Sequence, residues 1–152
     1  MKRVVLLIIG FFPLLMGYIQ DHFFLTFKYY HTPLFLLSNI TVLVIWFVAG
    51  IVAAKRLGSK KESLILLNTP ALVMLLHNLY QEVILGYYLP NHVGKMGQMF
   101  YLSQLNIAFN LSLVFFQQLF FAYIIAFCLM LIVSFLGCTV GSYRVGGRAL
   151  AR

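Results

Sequence analysis

The sequence predicts an all-α polytopic membrane protein: a bundle of four transmembrane helices joined by short loops. Three observations carry this. Of 152 residues, 62% are apolar and only 9% charged, against about 25% charged in an ordinary soluble domain. Mean hydropathy is +0.96. The apolar residues also gather into runs long enough to cross a ~30 Å hydrocarbon core, which takes roughly 20 helical residues. Too little polar sequence is left to clothe a water-soluble globule or a separate extramembrane domain. Residues 1–152 therefore read as a single integral membrane domain.

The first span covers residues 4–23 and follows the basic pair Lys2-Arg3. A basic start before an apolar run also opens secretory signals, but no small-x-small cleavage site follows, so an uncleaved span is expected. Pro13 removes a helix donor and is expected to bend it. The second span, 34–54, stops at Lys55-Arg56. The third, 64–88, follows Ser59-Lys60-Lys61-Glu62. That spacing is a capping box, in which Ser accepts from a free N–H and Glu reaches back to the cap. Pro70 is expected to bend this helix too. The fourth span, 111–140, is preceded by amphipathic residues 96–110, an outer extension or a segment lying in the interface.

Charge sets the expected direction. With the N-terminus inside, the inner segments hold nine basic residues: Lys2, Arg3, Lys55, Arg56, Lys60, Lys61, Arg144, Arg148 and Arg152. The outer segments hold only Lys28 and Lys95. This is a positive-inside pattern, with both termini cytoplasmic in the cell membrane. Tyr18, Tyr29, Tyr30, Tyr87, Tyr88 and Tyr101 fall near the outer boundary, where amphipathic rings settle. The net charge of +8 is spent on these flanks and forms no stripe of its own, so nucleic acid is not an expected partner.

The third span carries the densest polar set: His77, Asn78, Gln81 and Glu82. On an ideal helix they occupy an arc of about 140°, opposite Leu72, Leu76, Leu79 and Val83. In the fourth region Ser103, Asn106, Asn110 and Gln117 align on one helical face, and Cys128 continues that line. His77, Asn78, Gln81, Glu82, Asn110 and Gln117 are thus candidates for an outward-facing polar pocket. Interhelical hydrogen bonds without a cavity would use the same groups. The small-residue pairs Gly50/Ala54 and Gly137/Gly141 are candidate close-packing positions. They lie in a faint echo between the two halves, as parallel repeats of a helical hairpin would produce.

Chemistry has few footholds. There is no Gly-rich phosphate loop, GxSxG, HExxH, CxxC or paired-histidine spacing. The only acids are Asp21, Glu62 and Glu82, too few for a Mg²⁺-holding cluster. Cys128 and Cys138 lie ~15 Å apart on a helix, beyond disulfide reach. No cofactor and no metal are expected, and the sequence leans away from an enzyme. Two readings stay open. One is an accessory, assembly or regulatory membrane protein whose partners are the lipid bilayer and a second copy or another membrane protein. The other is a transporter, or its substrate-binding subunit, using the polar pocket.

Overall fold

Backbone hydrogen bonds have no water to satisfy them in hydrocarbon, so apolar runs of this length resolve into helices. The structure, a computed structural model, describes residues 2–27, 32–115 and 119–149. These form α1 (Lys2–Gly10), α2 (Phe12–Phe27), α3 (Thr32–Leu57), α4 (Lys60–Leu79), a π-helical turn (Tyr80–Leu85), α5 (His92–Phe115) and α6 (Leu119–Ala149). No strand occurs among the described residues. Among the described residues four helices are long and apolar enough to cross a membrane: Arg3–Phe23, Leu36–Leu57, Lys60–Leu85 and Phe120–Tyr143.

Local chemistry explains most boundaries. The first span breaks at Phe11, two residues before Pro13, whose ring excludes the carbonyl at i−4. The chain there uses tighter i→i−3 bonds, Phe11 N–H to Ile8 O and Leu14 N–H to Phe11 O, both 3.0 Å. By contrast α4 is continuous through Pro70. Gly10 lies against that ring, where a Cβ would come within 2.7 Å of Pro70 Cγ. Gly58, at φ +69°, turns the chain out of α3. Ser59 caps α4 by accepting from the Glu62 N–H at 3.3 Å. Only half of the capping box forms, because the Glu62 carboxylate turns to Arg3 instead, 2.5 Å from Nε. Asn91 caps α5 in the same way, accepting from the Gly94 N–H at 2.7 Å.

Direction follows from which residues meet. Gly137 approaches Phe47 and Gly50, and Gly141 approaches Ile51 and Ala54, so α6 runs parallel to α3. Here the small pairs Gly50/Ala54 and Gly137/Gly141 face each other. A Cβ on Gly50 would lie 2.7 Å from Ser134 O, and one on Gly141 would lie 2.7 Å from Ile51 O. Arg3 meets Glu62, and Gly10 meets Leu67 and Pro70, so α1 runs parallel to α4. The α3–α4 turn makes those two antiparallel. α5 begins beyond the end of α4 remote from that turn, and α6 starts from the same remote end. α5 therefore starts and finishes at one end of the bundle, packed against α2, α3, α4 and α6.

That arrangement corrects the fourth span. Leu111–Phe115 belong to α5 and the membrane-length segment is Phe120–Tyr143, with residues 116–118 outside the described residues. Residues 96–110 are not wholly at the surface, although Met96, Phe109 and Asn110 are exposed. They belong to a helix that buries Met99, Phe100, Tyr101, Ser103, Gln104 and Ala108. The core joins Trp46, Leu67, Phe100, Tyr101, Tyr123, Ala126 and Met130. Leu72, Leu76, Val83, Ile132 and Leu136 face outwards. Only 28–39% of each membrane-length window is buried within the chain. So much outward apolar surface is stable only in an apolar surrounding.

Candidate functional site

The polar face of α4 turns inward at the junction with α5, and the π-helical turn sits in the middle of it. π-helical turns are rare and frequent at functional sites. Here the turn carries Gln81 and Glu82 and is ended by Gly86, whose φ of +72° reverses the chain. Gln81 is fully buried. Its Oε1 accepts from the Leu89 N–H at 2.8 Å, and its Nε2 donates to the Gly94 carbonyl at 3.0 Å. One side chain thus holds both ends of the loop between α4 and α5. His77 Nε2 lies 3.0 Å from the Val93 carbonyl. A carbonyl only accepts, so this nitrogen carries the proton.

Glu82 accepts a hydrogen bond from the Tyr88 hydroxyl, and Tyr88 packs against the core cluster that includes Tyr123 of α6. Burial, together with the bond to Glu82, pushes the Tyr88 hydroxyl above its ordinary value, so it stays protonated and remains a donor. The loop is thereby fastened to α4 and α6 at once. Asn78 is completely buried against Gly97, whose missing side chain leaves space for the amide. His77, Asn78, Gln81 and Glu82 are therefore gathered at one place, the underside of the α4–α5 loop.

Of the remaining pocket candidates, Asn110 is not brought to it. Asn110 is exposed near the far end of α5, and Gln117 lies outside the described residues. Of the predicted polar line, Ser103 and Asn110 lie on α5 and Cys128 on α6. Cys128 is exposed on α6.

Two further polar groups lie deeper. Asn68 of α4 accepts from Trp46 Nε1 at 3.3 Å and donates to Ser134 Oγ at 2.8 Å, clasping α3, α4 and α6. Its position on the inner face beside Leu67 and Ala71 is the only signal of this in sequence. On α5, Gln104 is fully buried and neither end of its amide has a partner among the described residues. Ser103 Oγ, both amide atoms of Asn78 and Gln20 Nε2 share that condition. Gln104 escapes sequence reasoning because it falls outside the Ser103–Asn110 face. It follows Gly97 and Tyr101 at helical spacing instead.

Among the described residues no three His, Cys, Asp or Glu side chains gather as a metal set would. The fold and junction define a class: an all-helical bundle of four membrane-length helices, with a fifth helix folded across one end. Against protein families, curated proteins and solved structures, the chain has no match.

Proposed function

We propose that the chain is a small multi-pass protein of the cell membrane that acts through helix–helix contacts. In this reading it is an accessory, assembly or regulatory partner of a second copy or of another membrane protein. The supporting observation is where its polar side chains go. His77, Gln81, Glu82 and Asn68 are all engaged by the chain's own groups, while large aliphatic side chains cover the outside. What a neighbour meets is apolar helix surface, and recognition in lipid then proceeds by packing fit. Cross-linking in native membranes, followed by purification in mild detergent and mass spectrometry, is expected to return a stoichiometric second copy or partner. A solitary monomer that moves a solute across liposomes would overturn this reading.

A second reading is favoured by the unpartnered amides of Asn78 and Gln104. Buried polar groups without partners are rare, and a solute offering a donor and an acceptor would satisfy them. In that case the chain is a transporter or its binding subunit for a neutral polar solute. Gln104→Leu would then abolish flux in liposomes. Unchanged flux would remove the residue from the mechanism.

Both readings share an orientation, with the α3–α4 turn and both termini in the cytoplasm, because the basic residues lie at that end. In a cysteine-free background, Lys61→Cys is expected to react with an impermeant maleimide only after the membrane is opened. Pro90→Cys should react in intact cells. The reverse pattern would invert the topology.

A further inference from the structure

We infer that the groove between α4 and α6 is a binding site for one anionic phospholipid, its phosphate held by Lys60 and Lys61 and an acyl chain lying along the groove. The inference rests on the chain being membrane-embedded, and not on which partner it serves. The groove has a volume of ≈ 200 Å³ and is lined by Leu64, Ile65, Asn68, Thr69, Leu72, Phe127 and Leu131.

Its lining presents no free hydrogen-bonding group. Thr69 Oγ1 donates to the Ile65 carbonyl at 2.7 Å. The Asn68 amide donates to Leu64 O at 2.9 Å and to Ser134 Oγ, while its oxygen accepts from Trp46. A polar solute gains nothing there, whereas a hydrocarbon chain loses nothing. Length agrees as well. From Lys60 to Leu72 the helix rises about 18 Å, close to the ~15 Å of one leaflet's hydrocarbon.

Charge at one end decides the headgroup. Lys60 and Lys61 stand one turn before Leu64 and Ile65, on the same helical rows that form the groove wall. On the opposite wall Phe127 and Leu131 are continued by Phe135, and Lys60 Nζ lies 3.8 Å above that ring. The groove therefore ends in an ammonium group positioned between the two helices, with the exposed Lys61 beside it. Of the acids Asp21, Glu62 and Glu82, Glu62 is the one beside these lysines, and it is engaged by Arg3. The lysines are left to a phosphate. A zwitterionic lipid fills the groove equally well but returns less electrostatic attraction, so selectivity is for net negative headgroups.

The test has two stages. Alkaline-carbonate extraction of membranes first asks whether the chain is embedded. Release into the supernatant would end both the membrane reading and this proposal. Native mass spectrometry of the embedded, detergent-purified protein, titrated with phosphatidylglycerol or phosphatidylcholine, then asks about the site alone. One phosphatidylglycerol is expected to be retained in preference to phosphatidylcholine. K60Q/K61Q is expected to lower that retention by about thirtyfold, as the loss of two lysines facing an anionic lipid does. K55Q/R56Q removes the same charge from α3, away from the groove, and is expected to change retention less than about threefold. Thr69→Phe, which fills the groove and leaves the charge intact, should also displace the lipid. Equal retention of the two lipids, or equal losses in the two charge variants, would overturn the site while leaving membrane embedding intact. Circular dichroism of each variant confirms the fold.

Discussion

Gly137→Leu is expected to destabilise the detergent-solubilised protein by about 3 kcal/mol or more, as overpacking at a closed helix contact does. A Cβ at Gly137 would fall on the Phe47 carbonyl, and Gly50 Cα would lie 3.3 Å from it. Both obstructing groups are backbone, so no rotamer change relieves the clash and α3 must move away from α6. That contact is the most extensive in the bundle, and lipid supplies no hydrophobic force to restore it once the fit is lost. The separation also strains the Asn68 clasp, because Ser134 sits one turn before Gly137 on α6. Gly137→Ala is expected to cost less than Leu but still more than about 1 kcal/mol. Leu136→Ala, at a side chain 51% exposed to the outside, is expected to stay within about 0.5 kcal/mol. Thermal unfolding in one detergent, followed by intrinsic tryptophan fluorescence, reads all three. Trp46 is fully buried beside that interface. A Gly137→Leu protein that melts with the wild type would show that α3 and α6 do not pack as described.

Much of this architecture is legible in the sequence because lipid imposes its constraint residue by residue. The four runs mark helices, and the helical period of the third span separates outward Leu72, Leu76 and Val83 from buried Asn78 and Gln81. α5 is not legible in the same way. It is too polar to register as a span, and its buried Ser103 and Gln104 become interior only once other helices surround them. The π-helical turn is hidden for a related reason. Its wider winding is set by what Gln81 and Glu82 reach across the loop, and sequence spacing alone assumes an ideal α-helix. The candidate site was therefore readable as a set of residues on one helix face. That these residues tie the loop and α5 to α4 emerges only from contacts between distant segments.

The strength of that fastening is measurable at Gln81. Replacement by Leu keeps the volume but removes the acceptor for the Leu89 N–H and the donor for the Gly94 carbonyl. Gly94 is buried, and a backbone group left there without a partner costs about 1–3 kcal/mol. The loss falls on the loop and the start of α5, since the side chain touches no hydrogen-bonding group of α3 or α6 among its described bonds. His77 and Glu82 still hold Val93 and Tyr88, so local opening is expected rather than global unfolding. A cost of about 2 kcal/mol corresponds to roughly thirtyfold faster amide exchange wherever local opening governs it. Hydrogen–deuterium exchange in nanodiscs should show that acceleration across residues 86–97, with protection of α3 and α6 unchanged. Gln81→Glu is expected to be no better than Leu: it keeps an acceptor for Leu89 but places an acid where a donor to Gly94 is needed. Uniform acceleration along the whole chain would make Gln81 part of the global core. No acceleration at all would mean that the loop is held by His77 and Glu82 alone.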